Sequence, residues 1–197
     1  MACYYIIEEV MYTSWLFLMC HEQVFKEVLP LELCSICAYV NAIAVFTQQK
    51  NLRFFSGVVG LIAGSVAMLY PANISGLYPT LSYRTINFYM LHASFIVFAL
   101  IQLKDTTLLT YHNMKDNLIL LVCLFTLAFL VNVFLKTQYM FVGTPPSIGF
   151  IAILFHMTGF VFFLPAILLI IGFLHFMVVY VLRRIYHVNK IAPNIHS

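Results

Sequence analysis

Residues 29–46 read LPLELCSICAYVNAIAVF. After Pro30 the run carries one charge, Glu32, and two thiols, Cys34 and Cys37, before continuing apolar to Phe46. It is bounded by HEQVFKE on one side and TQQKNLR on the other. A helix needs about 20 apolar residues to cross the roughly 30 Å hydrocarbon layer, so this run is the right length for one membrane span. An open strand could not cross, because its backbone groups would be unpaired in lipid, and runs this continuous are not barrel strands.

The whole chain has the same character. Of 197 residues, 63% are hydrophobic and 9% charged, with a mean hydropathy of +0.97. Soluble domains average about 25% charged residues, so a water-solvated surface cannot be built from this composition. The expected fold is all-α: one polytopic transmembrane helical bundle over residues 1–197, with about six spans near 3–21, 29–47, 54–70, 84–103, 117–135 and 158–182. The connections are short, and no soluble domain, linker or internal repeat is visible. The stretch QYMFVGTPPSIGFIAILF, residues 138–155, is apolar but broken by Gly143, Pro145, Pro146 and Gly149. It reads as a re-entrant loop rather than a seventh helix, and such backbone needs protein or water around it. A cavity nearby is expected.

Loop charges set the expected orientation. With the N-terminus inside, the inner segments hold Lys50, Arg53, Lys104, Lys115, Arg183, Arg184 and Lys190, against Lys26, Arg84 and Lys136 outside. Both termini are therefore expected in the cytoplasm, with YVLRRIYHVNK as an inner anchor. No cleavable signal peptide is expected, because residues 1–20 lack Lys and Arg and contain Glu8 and Glu9. The net charge of +3 is small and scattered, and nucleic acid is not an expected partner. Membrane lipids are. Asn73-Ile74-Ser75 matches a glycosylation acceptor in an expected outer loop, a motif that is common by chance and means nothing in a bacterial chain. Ser56, Gly60 and Gly64 repeat every fourth residue, spacing that lets two helix backbones approach closely in lipid.

Polar side chains inside spans are costly and are functional suspects by default. Here they are Glu8, Glu9, Glu32, Asn41, Asn87, His92, Asn132, His156 and His175. At 1.5 Å rise per residue, Cys34 lies about 7 Å below the outer end of the second span, and His92 about 12 Å below that of the fourth. Glu32, Cys34, Asn87, His92, Asn132 and Tyr139 therefore share the outer half of the membrane, while Glu8 and Glu9 fall in the inner half of the first span. Bland readings stand beside these. Asparagines in spans commonly serve as interhelical glue, His156 and His175 read as helix-packing residues, and Tyr139 fits an interfacial aromatic belt. Cys34 and Cys37 form a C-x-x-C, but neither a βαβ setting nor a second Cys/His pair at zinc spacing accompanies it. No metal and no cofactor are expected. A cysteine nucleophile needs a base within reach or a charge that activates it. His92 could supply the base, and Glu32 could orient a histidine.

The succession LPLELC, YMLHASF and QYMFVGTPP, in that order, resembles the YwaF-like bacterial integral membrane family, whose eukaryotic relative is transmembrane protein 164. The matching positions are Leu29, Pro30, Leu31, Leu33, Cys34, His92, Tyr139, Met140 and Pro145, over roughly residues 8–150. Glu32 stands where the family usually has histidine, and Leu91 and Ala93 flank His92 in place of serine and glycine. By this likeness the chain would begin at the family's second span and reside in a bacterial plasma membrane. The resemblance implies phospholipid acyl transfer, with Cys34 as acyl acceptor and His92 as base or acid. Three functions follow as expectations. The first is a Cys-dependent lipid acyltransferase or transacylase with Cys34 and His92 catalytic, Glu32 in support, and Asn87, Asn132 or Tyr139 meeting the oxyanion. The second is a substrate-binding subunit of a small-solute transporter using the same polar residues. The third is a non-catalytic membrane protein in which they are glue.

Overall fold

In a computed structural model, residues 2–19, 28–71, 74, 78–143 and 149–191 are described. Six α-helices follow in order: α1 Ala2–Met19, α2 Leu33–Thr47, α3 Lys50–Leu69, α4 Tyr83–Leu103, α5 Tyr111–Leu135 and α6 Gly149–Ile191. Short 3-10 turns lie at Thr106–Leu108 and Tyr139–Phe141, and no strand occurs among the described residues. Each expected span coincides with one helix. Asn73 and Ser75 of the acceptor motif, together with Lys26, Pro145 and Pro146, lie outside the described residues.

Large apolar side chains cover the outside of the bundle, among them Phe46, Leu69, Leu130, Phe134, Val161 and Leu169. Water would penalise that surface and lipid does not. Four helices, α3 to α6, are long and apolar enough to cross a membrane by themselves. α2 is apolar but only 15 residues long. At 1.5 Å per residue it is about 22 Å long, some 8 Å short of the hydrocarbon thickness. The expected span began at residue 29, but residues 28–32 are not helical, so α2 begins only at Leu33.

α3 is the centre of the packing, in contact with α2, α4, α5 and α6. The small-residue stripe makes this possible. A Cβ at Gly64 would come within 2.8 Å of the His92 carbonyl oxygen of α4, so the two backbones meet there. One apolar cluster joins Tyr5, Cys37, Ala38, Phe55, Val59, Phe95, Phe125 and Ala128 with Tyr139, Met140 and Val142. A second, on another face of the same part of α3, joins Phe54, Val58, Leu103, Leu108, Leu109 and Val179.

Helix ends are closed by side chains that the sequence supplies in place. Ser82 Oγ accepts the Thr85 N–H at 3.2 Å, and Thr110 Oγ1 accepts the Asn113 N–H at 3.1 Å. The interrupted stretch is shorter than expected. Residues 149–155 are helical, because FIAILF contains no residue that breaks a helix in lipid, and they form the start of α6. Within α6 a further discontinuity falls at Gly159, whose φ of +68° and ψ of 172° suit glycine alone.

Candidate functional site

Cys34 is the second residue of α2, one after Leu33 and two after the capping residue Glu32. Glu32 makes no side-chain cap, and the first backbone bond of the helix runs from the Ile36 N–H to the Glu32 carbonyl at 3.0 Å. The N–H groups of Leu33, Cys34 and Ser35 therefore have no carbonyl partner among the described residues, as the first turn of any helix requires. The Ser35 N–H faces the Cys34 sulfur. Cys34 and Cys37 are both free thiols; Cys37 is wholly buried and Cys34 partly.

Non-helical backbone at membrane depth must be satisfied by protein, and here the segment after α5 does it. The Leu29 N–H donates to the Tyr139 hydroxyl at 3.2 Å, and the Met140 N–H donates to Glu32 Oε2 at 3.3 Å. The turn is itself clamped by Asn132. Asn132 Oδ1 accepts from Thr137 Oγ1 at 2.7 Å and from the Tyr139 N–H at 2.8 Å, while its Nδ2 donates to the Tyr139 carbonyl at 2.8 Å. Gly143 completes the fit, since a Cβ there would lie 2.5 Å from the Thr137 carbonyl oxygen. Glu32, Asn132 and Tyr139 are thus brought together beside Cys34. The amide of Asn132 is committed to the turn.

His92 lies on α4, 4% exposed, with its ring between Phe88 and Phe95 at centroid distances of 4.2 and 5.6 Å. Its Nδ1 sits 2.7 Å from the Phe88 carbonyl oxygen. A carbonyl can only accept, so Nδ1 carries the proton and Nε2 holds the lone pair. Among the described residues no hydrogen bond joins His92 to Cys34. Asn87, one turn and a half before His92, donates weakly to the Tyr83 hydroxyl at 3.5 Å and leaves Oδ1 buried without a partner.

Glu8 and Glu9 are not set apart from these groups. Glu9, 7% exposed, lies beside Ser35 of α2, and Glu8 lies beside Asn87 of α4. Glu9, Glu32 and Arg84 are all within electrostatic reach of the Cys34 sulfur. The sequence set the two glutamates apart from Cys34 and Asn87; the structure places them beside the helices that carry those residues. Arg84 spreads over the Tyr12 ring at 4.3 Å, with its Nε buried and unpartnered. Ser35 and Arg84 are the site neighbours that sequence reasoning missed; Glu9 was among the suspects but was set apart from Cys34.

His156 is exposed on α6, whereas His175 is fully buried against Phe54 with neither ring nitrogen partnered, far along α6 from the site helices. Among the described residues no three His, Cys, Asp or Glu side chains are gathered as metal ligands. A shallow apolar groove lies along α5 at Met114, Leu118, Ile119, Val122 and Cys123.

The family model for the TMEM164 family matches residues 1–190. This chain belongs to the TMEM164 family. Membership agrees with the order of motifs carrying Cys34, His92 and Tyr139, and with a helical bundle set in lipid. No curated protein and no solved structure matches the chain. For this TMEM164 family member the geometry has to speak for the chemistry.

Proposed function

We propose that this membrane protein is a Cys-dependent acyltransferase acting on a membrane lipid ester, with both termini on the cytoplasmic side of a bacterial plasma membrane. The observation that carries the reading is the position of Cys34, a thiol in the first turn of a helix whose preceding residues are held by a turn from a distant part of the chain. Unpaired N–H groups at such a terminus are donors ready for a developing oxyanion. With Asn132 and the Tyr139 backbone committed to the turn, the N–H groups of α2 are better placed for that role than the side chains first considered.

The reaction runs as two displacements. The Cys34 thiol proton passes to the Nε2 lone pair of His92 while sulfur bonds to the ester carbonyl carbon. The C–O bond then breaks, and the imidazolium returns its proton to the departing alkoxide. A second lipid hydroxyl attacks the acyl-cysteine by the reverse proton traffic. His92 has its tautomer set by Phe88 for this task, and catalytic contacts often close only when substrate is bound. A second reading, capture of a small polar solute between α1 and α4 without covalent chemistry, is favoured by the unpartnered Glu8 Oε2, Asn87 Oδ1 and Arg84 Nε.

The test is a thioester-forming acyl probe applied to the purified protein in bilayers. Wild type is expected to label and Cys34→Ser not to, with His92→Ala labelling at least about a hundred-fold more slowly. Labelling that persists in Cys34→Ser, or is absent in wild type, overturns the acyl-enzyme. Orientation is checked separately with a tag after Ser197, expected to be protected from outside reagents.

A further inference from the structure

α1 brings two adjacent carboxyl groups into the bundle, and neighbouring positions on a helix point about 100° apart. Glu8 faces α4, where it lies beside Asn87, and Glu9 faces α2, where its side chain meets that of Ser35. Glu9 is 7% exposed and Ser35 6%. The other fully buried residues of α1 are Ala2, Tyr5 and Leu16, so apolar packing asks for no carboxyl there. Ionisable groups buried inside a membrane protein are costly and mark function by default. Among the described residues no cation lies within ion-pair distance of Glu9, and its hydrogen bond is to Ser35. Ser35 directly follows Cys34. Its backbone N–H faces the Cys34 sulfur while its side chain meets Glu9, so one residue joins the thiol to a carboxyl on another helix.

The capping residue Glu32 gives the first turn of α2 no side-chain cap. The directions of the Leu33, Cys34 and Ser35 N–H groups therefore depend on what holds the turn from outside. The segment after α5 holds the residues before the helix, and Glu9 holds the turn itself at Ser35. We propose that Glu9 is a positioning residue for acyl transfer: through Ser35 it keeps the first-turn N–H groups of α2 aimed at the oxyanion that forms beside the Cys34 sulfur. It acts by accepting a hydrogen bond from the Ser35 hydroxyl, and neither its charge nor a proton taken from the thiol enters. Donors aimed in advance need no reorganisation at the moment of reaction. The inference rests on the acyl-enzyme reading of Cys34 and adds to it a residue from α1.

The experiment compares two reactions of Cys34 in bilayers, in a background with Cys3, Cys20 and Cys123 changed to serine and each adduct counted at Cys34 by peptide mass. The thioester-forming acyl probe passes through an oxyanion; iodoacetamide alkylates sulfur by displacing iodide and does not. Glu9→Ala is expected to slow acylation about ten-fold, the loss of one hydrogen bond to a carboxylate, and to leave alkylation at the wild-type rate. Ser35→Ala is expected to slow acylation to the same extent. Both changes remove one contact, so the double variant is expected to be no slower than either single variant. Glu9→Gln keeps an acceptor oxygen and is expected to acylate within about three-fold of wild type. A glutamine variant as slow as the alanine variant assigns the effect to charge or proton transfer and overturns the positioning role. Additive losses in the double variant, or acylation and alkylation slowed together, overturn it too. Fully buried Cys37 reports any unfolding. If Glu9→Ala exposes it, Ser35→Ala decides, and an unchanged acylation rate there overturns the inference. Wild type that takes no acyl group sinks the acyl-enzyme reading and this inference with it. Wild type that acylates no faster than Glu9→Ala sinks this inference alone.

Discussion

Asn132 makes three hydrogen bonds within seven residues of chain, and all of them hold the turn that closes over the N-terminus of α2. Buried in lipid, those partners have no water to fall back on. Asn132→Ala is expected to destabilise by about 2–3 kcal/mol, and Asn132→Asp, which sets a carboxylate oxygen against the Tyr139 carbonyl in a buried site, by at least as much. Thermal unfolding in detergent measures both. At the other end of the bundle, Asp105 sits outside the spans. A hydrogen bond from the Thr107 hydroxyl at 2.6 Å, aided by the Arg53 guanidinium at 3.1 Å, holds its carboxyl below the usual range. A carboxyl depressed in the folded state stabilises above its unfolded pKa and loses that contribution as pH falls through the folded one. Unfolding of Asp105→Asn relative to wild type is therefore expected to show a constant small difference from pH 5 to 8. The difference is expected to vanish only below about pH 4.

At the scale of the element, the α3–α4 seam depends on position within one small-residue stripe. A methyl group at Gly60 would meet its nearest neighbours at 3.8 and 4.0 Å, ordinary contact, whereas at Gly64 it would meet the His92 carbonyl oxygen at 2.8 Å and Ile96 Cγ1 at 2.9 Å. A backbone oxygen cannot swing aside. Gly64→Ala is expected to cost roughly 1–3 kcal/mol and to shift the helix that carries His92, while Gly60→Ala is expected to be near neutral. Unfolding midpoints of the two variants, with acyl labelling as a second readout, make the comparison. The equal spacing of Ser56, Gly60 and Gly64 made the seam legible in the sequence. Which glycine touches backbone depends on the rotation of α4, and spacing on one helix carries no information about its partner.

For the whole molecule, α6 is mostly exposed to the surroundings, and its C-terminal half is moored by Arg183. That guanidinium donates to the Leu109 carbonyl at 3.3 Å and lies 4.4 Å over the Tyr111 ring. Among the described residues its neighbour Arg184 reaches only Tyr180 on its own helix. Arg183→Ala is expected to lower stability by about 1–2 kcal/mol and Arg184→Ala by little, as unfolding midpoints in detergent would show. The sequence counted both as equal inner charges.

What the chain determines unaided is its solvent and its spans. Apolar runs of membrane length leave the backbone no choice but the helix, so fold class and helix order could be read from composition and periodicity. Short motifs likewise brought Cys34, His92 and Tyr139 into consideration. Only the tertiary structure decided that α2 starts four residues late, that its N-terminal end is served by Tyr139 and Glu32, and that Glu9 lies near the thiol and Glu8 near Asn87. The reason is physical. In lipid a helix may be short provided other backbone groups are satisfied by protein, and the partners that do so here come from a turn more than a hundred residues away. The run at 29–46 announced a span; the turn at 139–141 supplied the partners of its N-terminal end.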